Sequence, residues 1–211
     1  MAARTPLRRS IGLTTARHAT GPRPARLTGA AGPPDYRCRM PSQPLPFDPV
    51  AEARRHWIDR WEVGEHMAAA TSLMRAQQLV LAAVEDELRP FGLTFSSYEA
   101  LMLLSFTRRG EMPLGKMSDR LMVHPASITN TVDRLEEKGF VERRRDEHDR
   151  RRILAAITPA GRQVAAEATE PLNKVQFGLG MLDETEAATV NRVLRPLRAG
   201  DMVEGVDDPW T

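Results

Sequence analysis

Apolar positions recur at helical spacing over most of the chain. Across 62–88, Met67, Ala70, Met74, Gln77, Leu81, Val84 and Leu88 follow a 3-4 rhythm that lays one nearly continuous stripe along a long helix. Pro90 and Gly92 end it. Ahead of it, 48–61 predicts a short helix carrying Val50, Ala53, Trp57 and Trp61, with Asp48 as cap and Pro49 at the first helical position. Ser96 or Ser97 is expected to cap a third helix through Phe106, with Glu99 as capping-box partner of Ser96. There Ala100, Leu101, Leu103 and Leu104 crowd most faces, as in an internal helix. Gly110 breaks it; a short helix follows over 113–121. After Met122-Val123-His124 another starts at Pro125 and stops at Gly139.

The period then changes from helical to strand-like. Phe140-Val141-Glu142-Arg143-Arg144-Arg145 and Arg152-Ile153-Leu154-Ala155-Ala156-Ile157 flank a polar tip and predict a hairpin. Thr158-Pro159 opens a helix through Ala165, Ala168, Leu172 and Val175, which Pro171 is expected to kink or divide. Asp183 starts a last helix bearing Ala187, Val190, Leu194 and Leu197. Two helices with a three-residue turn and a basic hairpin behind them form a winged helix-turn-helix, so the expected fold class is mainly α with a small β-hairpin wing.

Composition narrows the classes. The 211 residues are 41% hydrophobic and 27% charged, an ordinary soluble composition. No apolar run approaches the ~20 residues of a membrane span, so no membrane association is expected. The single Cys38 forms neither an internal disulfide nor a cysteine-rich metal site, which suits a reducing cytoplasm; a DNA-binding reading would make the protein nucleoid-associated there. Residues 1–45 lack apolar periodicity and read as a disordered basic leader. A transit peptide, a phosphate-attracting arm and a mis-assigned start with Met40 as the true one compete, and Met40 is favoured because structured sequence begins soon after it.

The basic pI of about 9.0 reflects that leader. Residues 1–40 hold eight arginines and one acid, whereas the other 171 carry 22 basic and 27 acidic groups, a net −5. Positive charge concentrates at 143–152, with six arginines against Asp146, Glu147 and Asp149. Six arginines at one hairpin tip repel one another unless an anion sits nearby, and duplex DNA supplies one charge per ~1.7 Å of axis. Arg144, Arg145, Arg150, Arg151 and Arg152 are therefore candidate DNA contacts. Asp149 is the residue expected to fix the tip by accepting hydrogen bonds. A solvated charge run is the plain alternative, weakened by the helix-turn-helix immediately before it.

A helical wheel at ~100° per residue places Ile128, Val132 and Leu135 on one stripe of the 125–139 helix. The opposite arc holds Ala126, Ser127, Asn130, Arg134 and Glu137, with Thr129 beside it. Small polar groups at a helix start let the backbone approach a groove floor. Asn suits adenine, and Arg suits guanine or phosphate. Taken alone, the arc fits a solvated face equally well.

Residues 93–172 resemble the multiple-antibiotic-resistance-regulator (MarR) family of bacterial transcription factors. The resemblance is carried by Thr129-Asn130-Thr131-Val132-Asp133-Arg134-Leu135-Glu136-Glu137-Lys138-Gly139-Phe140-Val141, by Arg143-Arg144 and Asp149-Arg150-Arg151, and by Ile157-Thr158-Pro159-Ala160-Gly161. It implies a homodimer with interlocking terminal helices, a recognition helix at 125–138, and a wing whose Arg151 enters the minor groove. It also implies release from DNA by a small aromatic or carboxylated effector. The expected organisation is a leader at 1–45, dimerisation helices at 46–92, the winged helix-turn-helix at 93–158, further dimerisation helices at 159–200 and a tail at 201–211.

Two departures narrow the effector. Glu99 and Thr131 stand where the urate-responsive branch has Asp and Arg, so urate response is not expected. Cys38 lies in the leader rather than near a dimer interface, so neither is a thiol switch. Trp57, Trp61, His66, Arg75 and Tyr98 are the candidate pocket, with Arg75 facing either a ligand carboxylate or surface charge such as Glu85. Met67 and Met74 read mainly as core. The five histidines form no ligand-like cluster, so neither metal nor cofactor is expected. No nucleophile stands at a meaningful spacing from a base, which argues against an enzyme. The function expected is a repressor on a pseudo-palindromic operator; the alternative is a ligand-independent architectural DNA binder.

Overall fold

The computed structural model describes residues 45–146, 149 and 151–199. Cys38, Arg150, His148, the leader through residue 44 and the tail from 200 onward lie outside the described residues. Among those described, no helix is long and apolar enough to cross a membrane.

The chain opens with α1 (Pro49–Trp61), which Asp48 caps by accepting the Val50 N–H at 2.9 Å. The expected start of the next helix at residue 62 is corrected. Glu62 adopts a left-handed φ of 65° and donates its N–H to the Ile58 carbonyl, so the chain turns before α2 (Glu65–Leu88) begins. Gly64 permits that turn, since a β-carbon there would sit 2.8 Å from Ile58 Cγ1.

The reading of Met67 and Met74 as core is corrected as well: Met67 is half-buried and Met74 is 67% exposed. Only the second half of α2 reaches the core, through Val84 and Leu88. A single stripe therefore has one half covered by this chain and one half open.

Thr94, not Ser96 or Ser97, caps α3 (Phe95–Phe106), accepting the Ser97 N–H. That places Glu99 beyond the capping-box position. The internal character of α3 holds, with Ala100, Leu101, Leu103 and Leu104 all buried.

Strand β1 (Glu111–Pro113) then leads directly into α4 (Leu114–Leu121), and α5 (Pro125–Glu137) follows. The hairpin strands are β2 (Val141–Arg145) and β3 (Ile153–Ile157). The sheet is three-stranded and antiparallel in the order β1-β3-β2, with Met112 opposite Ala155 and Arg143 opposite Ala155 on the other side. At three residues, β1 is too short to show alternation in sequence. It exists because β3 offers it an edge.

α6 (Pro159–Lys174) passes through Pro171 undivided, so of the two expected outcomes, kink or division, division does not occur. Leu172, one residue on, is fully buried and holds the last turn in place. The helix stops where Gln176 and Phe177 take left-handed φ values of 49° and 52°. α7 (Glu184–Ala199) begins at a reciprocal cap: Asp183 Oδ1 accepts the Glu186 N–H at 2.8 Å, and Glu186 Oε2 accepts the Asp183 N–H at 3.0 Å. One cluster of buried residues joins α2 through Leu88, α3 through Leu101 and Leu104, α4 through Met117, α5 through Val132 and Leu135, and α6 through Ala168 and Leu172. Core packing therefore holds the helix-turn-helix against α2 and α6.

Candidate nucleic-acid interface

Helix α5 is fixed at both ends. His124 Nδ1 accepts the Ala126 N–H at 3.2 Å, satisfying one donor of the first turn. At the other end Gly139, with φ 72°, donates its N–H to the Glu136 carbonyl while Phe140 donates to Leu135. This pair of bonds with a left-handed glycine is a Schellman stop. Thr158 then ties the helix end to α6: its hydroxyl donates to the Gly139 carbonyl at 2.8 Å and accepts the Gly161 N–H at 3.0 Å. A β-carbon at Gly161 would lie 2.1 Å from the Phe140 carbonyl oxygen, so the Thr158-Pro159-Ala160-Gly161 run has a packing reason.

Between those ends the helix has two distinct sides. Ile128, Thr131, Val132 and Leu135 are buried. Ala126, Ser127, Thr129, Asn130 and Arg134 are all exposed. The Thr129 hydroxyl donates to the Pro125 carbonyl at 3.1 Å, so its oxygen is left to accept from a partner and its methyl is available for apolar contact. The burial of Thr131 takes it off the outer arc.

The wing arginines divide into two groups, which modifies the picture of six repelling charges. Arg143 Nη1 lies 2.5 Å from Asp133 Oδ1 and 2.8 Å from Glu136 Oε2. Arg144 pairs with Glu142 and lies 3.9 Å from Glu111. Arg152 Nε is 3.3 Å from Asp149 Oδ2. By contrast Arg134, Arg145 and Arg151 are exposed and make no ion pair among the described residues. The interleaved carboxylates therefore relieve much of the repulsion that sequence reasoning assigned to an outside anion.

Asp149 also accepts the Arg151 N–H at 3.1 Å on Oδ1, and its carbonyl accepts the Arg152 N–H at 2.8 Å. One residue thus sets the backbone on the return side of the tip. Sequence reasoning missed His124 as a cap, Arg143 as a bridge, and Lys116. The last lines a shallow concavity with Pro113, Leu114, Gly115, Arg151, Arg152 and Ile153, between the start of α4 and the wing. A histidine directly before a helix-opening proline was the available signal for the first.

The five candidate pocket residues are not brought together within one chain. Trp57 and Trp61 pack on each other with ring centroids 4.5 Å apart and line an open hollow on α1. His66 is exposed on α2, and Arg75, further along it, donates to Gln78 Oε1 at 3.0 Å rather than to Glu85. Tyr98 is a core residue: its ring is buried near Phe177 and its hydroxyl lies 2.9 Å from Thr169 Oγ1. Glu99 is half-buried on α3, and that burial pushes its carboxyl above the usual carboxylate range.

Comparison with known proteins agrees with this architecture. The MarR family model matches residues 93–153, from just before α3 to the first residue of β3. A MarR family transcriptional regulator of known structure from Streptomyces coelicolor is 50% identical; the match covers 66% of this chain and 98% of that one, with a TM-score of 0.61. CouR from Rhodococcus jostii, solved with p-coumaroyl-CoA bound, is 29% identical over 64% of this chain and 95% of its own, with a TM-score of 0.57. The HTH-type transcriptional regulator SarZ of Staphylococcus epidermidis is 26% identical over 85 residues, so the chain spans 56% of the length of that curated relative and the match takes in 40% of this chain. With half of the aligned residues identical to a regulator of which 98% is covered, and with the MarR family model matching the helix-turn-helix, the chain belongs to the MarR family of transcriptional regulators.

Proposed function

We propose that the chain acts as a cytoplasmic homodimeric repressor, binding a pseudo-palindromic DNA operator and released from it by a small aromatic or carboxylated effector. The observation that carries this reading is the two-sided α5. Its apolar stripe is consumed by the core while Ala126, Ser127, Thr129, Asn130 and Arg134 stay exposed beside a wing whose Arg145 and Arg151 are exposed and make no ion pair among the described residues. In this reading Asn130 reads an adenine edge, Arg134 a guanine or phosphate, and the wing grips the adjoining backbone through Arg145 and Arg151, with Arg144, Arg150 and Arg152 adding to its field. Asp149 holds the tip in shape.

The domains follow from the same logic. Residues 93–158 bind DNA, and 46–92 with 159–200 dimerise, since α7 leaves Val190, Val193 and Leu197 exposed. A two-fold dimer places its recognition helices about one helical turn, ~34 Å, apart. Binding, not catalysis, is the activity. CouR, with its bound p-coumaroyl-CoA, supports an acyl or aromatic effector class here. The separation of Trp57, Trp61, His66, Arg75 and Tyr98 within one chain favours the second reading, a ligand-independent architectural binder.

Fluorescence anisotropy on duplexes from the region upstream of the gene tests the first claim. Saturable binding to a palindromic fragment is expected, and no binding to any fragment at low salt overturns it. A melting-temperature screen of aromatic acids and their thioesters separates the two readings, because a ligand that binds the folded state raises the midpoint by linkage.

A further inference from the structure

Arg143 is the most heavily engaged of the described wing arginines, and it faces the protein. In a strand successive side chains alternate between faces. Arg143 shares the inward face of β2 with buried Val141, while Glu142 and Arg144 point outward. Its guanidinium reaches Asp133 at 2.5 Å and Glu136 at 2.8 Å, and its Nη2 lies 3.5 Å from the Thr129 carbonyl. Its backbone N–H donates to Glu136 Oε1 at 3.1 Å. Thr129, Asp133 and Glu136 stand four and three residues apart, so they form one line along α5. That line borders the exposed arc of Asn130 and Arg134. Burial strips hydration from the Arg143 guanidinium, and the two carboxylates together more than compensate, holding its pKa above the ordinary arginine value.

We propose that Arg143 is a positioning residue for DNA recognition: it clamps the base of the wing to the flank of α5, so that wing and helix meet the duplex at one fixed angle. This rests on the DNA-binding reading above. The alternative for any wing arginine is direct attraction to phosphate, and the two roles predict opposite signs for the acidic partners. Asp133 and Glu136 are partly exposed anions beside the proposed DNA face. If they matter only as charges, removing them relieves repulsion and strengthens binding. As the clamp's other jaw, their removal loosens the wing and weakens it.

The test uses the full chain and a duplex selected by it from a randomised library, with Kd measured by anisotropy over a range of salt. Asp133→Asn with Glu136→Gln is expected to weaken binding about tenfold, the scale of losing hydrogen bonds to a charged group. Arg143→Lys keeps the charge but not the two-pronged geometry, and is expected to lose nearly as much as Arg143→Ala. Neither Arg143 variant should change the salt slope by a full unit, whereas loss of a phosphate contact lowers it by about one. Circular dichroism and dimer mass identify any variant that fails to fold, and the exposed carboxylate pair then carries the test. Wild-type chain that binds no duplex overturns the DNA reading and the clamp with it. Wild-type binding combined with unchanged or tighter binding by the carboxylate variant, or full affinity in Arg143→Lys, overturns the clamp alone.

Discussion

Helices α5 and α7 are both amphipathic, yet the chain treats their apolar faces in opposite ways. In α5, Ile128, Val132 and Leu135 are 2%, 0% and 1% exposed, on a helix packed against α3, α4 and β2. In α7, Val190, Val193 and Leu197 are 41%, 60% and 73% exposed. Burial of one such side chain is worth ~1.5–3 kcal/mol, so an open stripe of this kind costs a great deal of potential stabilisation unless something covers it. The exposed Leu73, Met74 and Leu79 of α2 repeat the pattern. The contrast separates an apolar stripe covered by its own chain from one this chain leaves open, which is where the proposed dimer would place a second copy.

The sharpest way to break this contrast is charge on α7. Val193→Asp with Leu197→Asp is expected to give a folded monomer in sedimentation velocity, because each carboxylate buried in a dimer costs several kcal/mol. A dimer that survives would show that α7 is not the interface. Next in size, Leu135→Ala should lower the unfolding free energy by ~2–5 kcal/mol in urea titrations, because it leaves a cavity under a helix with no room to collapse. Surface and core differ again in Asn130→Ala, which should leave the urea midpoint unchanged and cost ~1–3 kcal/mol of binding, mainly at one base position. Arg151→Ala should weaken all duplexes alike and reduce the salt slope by about one.

The smallest effect is a pH dependence at Glu99. Its folded carboxyl binds a proton more readily than the unfolded one, so the folded state is favoured while that proton is held. Stability then declines as pH rises from the ordinary carboxylate range through the raised folded value. Glu99→Gln should therefore melt higher than wild type above that window and equal it below. Equal melting curves at neutral pH would show that the carboxyl's burial carries no penalty.

Much of the fold was legible because it is written in local chemistry. The caps at Asp48 and Thr158, the stop at Gly139 and the buried triad of Ile128, Val132 and Leu135 each follow from spacing within a few residues. The cap of α3 was misread because Thr94, Ser96 and Ser97 all have suitable hydroxyls, and packing of Phe95 and Tyr98 against the core picks the first. The wing was legible as a basic hairpin, but which of its arginines pair with carboxylates among the described residues was not. Arg143 meets Asp133 and Glu136 only after β2 folds back on α5.

Sequence alone determined the caps at Asp48 and Thr158 and the stop at Gly139, which face of α5 is apolar, and that positive charge gathers at residues 143–152, because these depend on neighbours along the chain. Tertiary structure decided which apolar stripes are covered, which arginines find carboxylate partners among the described residues, and that Tyr98 belongs to the core rather than beside Trp57. Those outcomes depend on which distant segment arrives opposite each residue, and periodicity within one helix carries no information about its partner.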